Sequence, residues 1–299
     1  MSRLLDRLSG GRVLVADGAT GTNLQQAGLK LGEHPEDWVH SQPEKVVGLE
    51  QAFVEAGADI ILTCTFGGTR PRLAGSQYGE RVSELNQEAA ALARKAASAA
   101  SDVLVAGSMG PLGQLLKPLG PISPEEAFAA YAEQAAALSK GGVDLIVIET
   151  QFSLDEGAAA LGAAQSVTDL PIVVSFGFDR GTRTMMGVKP TEVAERFRDL
   201  GATMVGVNCG TTLQNALTVL DEYARAVPGF PLWFKPNAGI PSVKDGLTVY
   251  DVSPEQMAEF ASAAIERGAR VVGGCCGSTP EHVRAIARAA QRATVDDRP

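Results

Sequence analysis

Aromatic residues are scarce in this 299-residue chain: Phe, Trp and Tyr together make up 5% of it. A core so poor in rings, in a chain rich in Ala and Gly, favours helices packed closely on a sheet over an all-β sandwich. Positive charge is also short. Lys and Arg number 26 against 35 Asp and Glu, a formal net charge of -9. Such a chain repels phosphate backbones and anionic lipid, which argues against nucleic-acid and membrane-surface roles. Long apolar runs are missing, and nothing approaches the ~20 residues a membrane span needs. The opening MSRLLDRLSGGR is charged throughout and has no apolar signal segment. These absences together predict a cytoplasmic protein.

Four cysteines and three histidines are present. Disulfide stapling is chemically disfavoured in the cytosol, so the cysteines are either buried fillers or metal and catalytic ligands. With 45% hydrophobic residues the chain can build a large core, which excludes disorder. Neither a low-complexity linker nor a shift in composition divides it, so residues 1–299 read as one domain.

A repeated alternation fills that length. Short β-branched, apolar runs stand at 13–18 (VLVADG), 59–66 (DIILTCTF), 103–110 (VLVAGSMG), 144–150 (DLIVIET), 171–178 (PIVVSFGF), 204–210 (MVGVNCG), 231–237 (PLWFKPN) and 271–277 (VVGGCCG). Ala/Glu/Leu/Arg stretches at helical spacing lie between them. Several open on Ser or Thr before Pro, as in SPEEA, SPEQM and STPEH. A hydroxyl N-cap, proline at the first helical position and an early acid mark helix starts. Near-continuous apolar strands separated by helices imply a parallel sheet covered by helices. Eight such units predict an α/β fold, a single (β/α)8 TIM barrel. The competing doubly wound fold would want G-x-G-x-x-G after its first strand, where this chain has DGATGTNL.

Polar residues gather at the predicted strand ends, which a parallel barrel brings to the face where active sites lie. Cys275 and Cys276 form an adjacent pair between glycines, GGCCG, and Cys209 ends the sixth strand. Vicinal strand residues point to opposite faces, but flanking glycines let the backbone turn both sulfurs toward one point. Three thiolates make a soft site suited to zinc, and three protein ligands leave the open position of a catalytic site. Cys64, alone in TCTFGG, reads as packing or as a pocket wall. Asn237, in KPNAGIP, is either a turn former or an oxygen donor to the open position. Asp17 and Glu149 close apolar strands, and buried carboxylates need partners. Asp17 is read as a helix cap or, with Glu149, as the partner of a substrate ammonium. The Gly-rich turn at Gly18 and Ala19 offers backbone N–H groups to a carboxylate, with Ser108 as a helper. His34, His40 and His282 end no strand and read as surface residues.

DGATGTNLQ, TCTFGGT, DLIVIET, GVNCG, PNAGIP and GGCCGSTPEHV, in this order, resemble the homocysteine S-methyltransferase family over nearly the whole chain. The resemblance implies a (β/α)8 barrel, zinc on Cys209, Cys275 and Cys276, and homocysteine-contacting acids at Asp17 and Glu149. It also implies a zinc-ligating role for Asn237 before substrate arrives. The match is best to the homocysteine-binding module of cobalamin-dependent methionine synthase, where T-N-T-F has Asn at the place of Cys64. No D-x-H-x-x-G cobalamin motif is present, so the chain is not expected to hold a corrinoid alone. In the betaine branch a tyrosine follows the fourth-strand acid, where this chain has Thr150; Trp38, Trp233, Phe66 and Tyr78 remain as candidate aromatic walls. The implied activity is methyl transfer to homocysteine from methylcobalamin, S-methylmethionine or another methylated compound. The alternatives are a zinc module serving a separate corrinoid or folate-binding protein, and a betaine-type enzyme.

Overall fold

A computed structural model describes residues 2–30, 32–210, 212–244 and 247–296. Seven parallel strands follow in sequence: β1 (Leu14–Val15), β2 (Ile60–Leu62), β3 (Leu104–Met109), β4 (Leu145–Gln151), β5 (Ile172–Phe176), β6 (Met204–Cys209) and β7 (Leu232–Pro236). A small antiparallel hairpin, β8 (Ser242–Lys244) and β9 (Leu247–Val249), interrupts the series. The last parallel strand is β10 (Ala269–Val272). Around the sheet the order is β1-β10-β7-β6-β5-β4-β3-β2. Its edges meet at the Ala16–Ile60 bridge, where the Asp17 N–H donates to the Ile60 carbonyl at 3.0 Å. The predicted (β/α)8 barrel is the observed architecture.

Alternation along the strands builds two layers. Ile60, Leu62, Leu104, Ala106, Val147 and Trp233 face the barrel interior. Ile61, Val105, Ile146, Ile148 and Val272 face the surrounding helices. The amino-terminal helix Arg3–Ser9 drives Leu4 into the interior cluster from the N-terminal end. With that end filled, open space is left at the C-terminal strand ends. Helix starts follow their sequence signals. Ser123 and Ser253 each cap a helix opening on proline, with Glu126 and Gln256 completing capping boxes. Among the described residues no helix is long and apolar enough to cross a membrane.

Three expectations need correction. The eighth strand stops at Val272, so Cys275 and Cys276 lie in the turn beyond it. His282 is not a surface residue: it is 8% exposed, takes the Thr279 N–H on Nδ1 at 3.1 Å and lies 2.9 Å from the Val252 carbonyl through Nε2. Its spacing from Thr279 turned the ring inward. His34 is half-buried and lines the cavity described below, whereas His40 is exposed as expected.

Candidate active site

A cavity of about 580 Å³ opens at the C-terminal ends of the strands. Cys209, Cys275 and Cys276 line it together with Ser108, Glu149 and Lys235. The three sulfurs lie within 4.8 Å of one another, and Cys209 Sγ is 2.8 Å from Cys275 Sγ.

Backbone geometry brings them there. Cys209 ends β6 with φ 54°, and Gly210 follows at 83°. Left-handed backbone at a non-glycine residue is a local strain, common where function fixes a side chain. Beyond β10 the chain folds back on β7: the Cys275 N–H donates to the Pro236 carbonyl at 2.7 Å, and the Ala238 N–H to the Cys276 carbonyl at 2.9 Å. Gly277, at φ 81°, completes the turn against the Tyr250 ring. Asn237 joins the two cysteine segments. Its Oδ1 accepts the Cys276 N–H at 3.0 Å and its Nδ2 donates to the Gly210 carbonyl at 3.2 Å.

Crowding of the thiols sets their protonation. Hydrogen bonds from Cys209 and Cys275 stabilise the Cys276 thiolate and pull its pKa well down. Cys209, bonded to its two neighbours, is pushed up. Cys275 is also raised, because the bond it receives from Cys209 is outweighed by its contact with Cys276 and by burial. One proton leaves readily and two are held back by the hydrogen bonds among the thiols and by burial, so a full thiolate set calls for a cation. The soft, compact donor set fits zinc with one position open.

Asn208, fully buried, organises the rim. Its Oδ1 accepts the Thr150 N–H at 2.9 Å and the Ser175 hydroxyl at 2.7 Å. Its Nδ2 donates to Thr150 Oγ1 at 2.7 Å and faces the sulfurs of Cys209 and Cys275 at 3.6 and 3.9 Å. Thr150 is itself left-handed, at φ 59°.

Glu149 is 7% exposed and accepts the Ser108 hydroxyl at 2.6 Å. Burial pushes its pKa up to about 7, against the pull of Lys235 and with a further push from Cys275. Asp17 is buried too. Its Oδ2 accepts the Leu62 N–H at 2.7 Å, and its Oδ1 is 2.9 Å from Lys235 Nζ. Burial raises Asp17, opposed by Lys235 and the Leu62 N–H. Burial works to strip the Lys235 proton, but Asp17, Cys275 and Glu149 more than offset it, and the ammonium is held charged.

The sequence-predicted residues therefore divide. Cys209, Cys275, Cys276, Ser108, Glu149, Gly18 and Ala19 line one cavity. Asp17 sits behind the wall in its ion pair, and Asn237 bridges the cysteine turns. Cys64 proves to be both filler and wall: it packs in the cluster with Leu24 and Leu85 and touches the cavity. Of the four candidate aromatic walls only Phe66 faces the cavity; Trp233 fills the barrel interior, and Trp38 and Tyr78 pack beside Cys64. Sequence reasoning missed Lys235, Tyr250 and the bridging role of Asn208. A lysine inside the apolar run PLWFKPN was a readable signal, since a buried charge needs a partner. Tyr250, which hydrogen-bonds the Cys276 sulfur from beyond the hairpin, carries no local signal.

Comparison with known proteins bears on the family and the fold. The profile of the family described as homocysteine S-methyltransferase matches residues 14–290. Methionine synthase of Mycobacterium tuberculosis is 33% identical over 305 residues, covering 96% of this chain and 25% of its own length. That of Mycobacterium leprae is 32% identical over 300 residues, covering 94% of this chain and 24% of its own. The chain thus spans about a quarter of these curated relatives. Among solved structures, the metallated Escherichia coli homocysteine methyltransferase MmuM shares the fold, with a TM-score of 0.82 at 24% identity over 96% of this chain and 99% of that one.

Proposed function

The chain belongs to the homocysteine S-methyltransferase family, and on that premise we propose that it transfers a methyl group to the homocysteine thiol, giving methionine, with zinc on Cys209, Cys275 and Cys276. The observation that carries this reading is the trio of convergent sulfurs on the wall that also holds Glu149. Zinc held there supplies the positive charge that keeps the homocysteine sulfur ionised near neutral pH. Asn208 and Asn237 hold the two cysteine segments in register. An amide oxygen has two lone pairs, so Asn237 Oδ1, with one on the Cys276 N–H, would have one to offer the metal before substrate arrives. Glu149, steadied by Ser108, faces the substrate ammonium, with Asp17 behind it on the same acidic side. The turn of Gly18 and Ala19 borders the carboxylate end. Fixing sulfur and methyl group in line is worth more here than acid–base help. Four free cysteines suit the reducing cytoplasm, where we place the protein as a single catalytic domain.

A donor screen tests this. Zinc-loaded protein is given homocysteine with methylcobalamin, S-methylmethionine or betaine, and methionine is followed. Turnover with at least one donor, lost in Cys209→Ser, is the expected result; no methionine from any of them contradicts a self-sufficient enzyme.

One observation favours a second reading, in which a separate corrinoid or folate-binding protein delivers the methyl group. Phe66, Leu119, Met185, Met186 and Ile240 are exposed on the loops after β2, β3, β5 and β7, Val243 is exposed on β8, and Phe66 lines the cavity. Exposed apolar residues on the segments that follow the C-terminal strand ends suit a protein partner. Under this reading methionine forms only when a methyl-corrinoid protein is added.

A further inference from the structure

Asp17 is less available than its place in the sequence suggests. Its Oδ2 accepts the Leu62 N–H at 2.7 Å, and its Oδ1 lies in an ion pair with Lys235 Nζ at 2.9 Å. Lys235 is 3% exposed and stands between Asp17 and the cavity: Lys235, Gly18 and Glu149 line the wall, and Asp17 does not. A lysine ammonium has three N–H donors. On Lys235 one goes to the Gly18 carbonyl at 3.1 Å, while Asp17 Oδ1 pairs with the ammonium by charge at 2.9 Å, which leaves donor capacity for the cavity that Lys235 lines. The turn after Asp17 is also less generous than its glycine implies, because the Ala19 N–H already donates to the Ser278 carbonyl at 3.1 Å.

We propose that Lys235 binds the α-carboxylate of the acceptor while Glu149 binds its ammonium, so that a cation and an anion on one wall read the zwitterion of an α-amino acid. This rests on homocysteine being the acceptor. Asp17 then anchors Lys235 from behind and does not touch substrate. The pair acts as a specificity device. A thiol lacking either charged group leaves a buried ion without its partner, and such mismatches discriminate strongly.

Binding to zinc-loaded protein by calorimetry, with no methyl donor present, tests this with three thiols. Homocysteine carries both charges, 4-mercaptobutanoate lacks the ammonium, and 3-aminopropane-1-thiol lacks the carboxylate. Lys235→Met is expected to weaken homocysteine and 4-mercaptobutanoate by about 30-fold, the scale of one charge-assisted hydrogen bond. It should weaken 3-aminopropane-1-thiol by less than about threefold, a split that a merely structural role would not produce. The double variant Asp17→Asn/Lys235→Met removes both buried charges together, avoids a lone buried carboxylate, and should give the same split. Equal losses for all three thiols, or unchanged homocysteine affinity in both variants, overturns the assignment. Wild-type protein that holds zinc but binds no homocysteine overturns the homocysteine reading itself, and this inference with it.

Discussion

Asn208 carries no charge, yet its amide touches Thr150, Ser175 and two of the three sulfurs. Partners of this kind fix ligand orientation, and losing one typically weakens metal affinity by about 10–100-fold. Asn208→Ala is expected to fall in that range, measured by competition with a zinc chelator, while Cys209→Ser retains no stoichiometric zinc. Glu149 gives a prediction with a sign. Its pKa stands at about 7 in the folded protein, raised by burial from an ordinary 4.5. The folded state therefore holds a proton that the unfolded chain releases. Stability from this group is complete below about pH 4.5 and lost as pH rises through about 7. Metal-free Glu149→Gln should match wild type at pH 4 and exceed it at pH 8 by on the order of 3 kcal/mol in urea unfolding. A variant no more stable at pH 8 would contradict the buried setting of this acid. The cysteines and Glu149 were legible because each interrupts an apolar strand end. Lys235 interrupts one too, but its partner Asp17 is 218 positions away, and only barrel closure brings β1 beside β10 and β7.

At the scale of elements, the strands and helix starts were readable because period and capping are local properties. VLVADG and VVGGCCG both looked like longer strands than they are, since apolar composition does not show where pairing stops. β1 is two residues long and β10 four; the remaining residues turn to build the site. The hairpin of β8 and β9 was invisible, lying in a polar stretch after PNAGIP that, among its described residues, brings Thr248 and Tyr250 to the cavity. Glycine in the cysteine turn has a function that can be measured. A Cβ at Gly277 would collide with the Tyr250 ring, on backbone already at φ 81°. Gly277→Ala is expected to cost about 1–3 kcal/mol of stability. It should also lower zinc retention, because Tyr250 and Cys276 must separate. Calorimetric melting with and without zinc measures both, and unchanged retention would show that Tyr250 does not brace the cysteine turn.

At the scale of the whole molecule, the site is a product of closure. Cys209 and Cys275 are 66 positions apart and meet only because β6, β7 and β10 are neighbours in the barrel. In the unfolded chain the paired cysteines and Cys209 have no fixed geometry, so the complete donor set exists in the folded state alone. A ligand bound only by the folded state stabilises it by mass action, about 2.7 kcal/mol at a hundred times its dissociation constant. For a domain of this size that corresponds to a rise of roughly 4 °C in melting midpoint. Zinc-loaded wild type should therefore melt higher than the same protein after exhaustive chelation, by an interval that grows with free zinc. Cys209→Ser, which leaves two sulfurs in one turn, should melt within about 1 °C with and without the metal, because two ligands from a single turn do not require closure of the barrel. If chelation leaves the wild-type midpoint unmoved, or shifts wild type and variant alike, the three sulfurs do not act as one metal site.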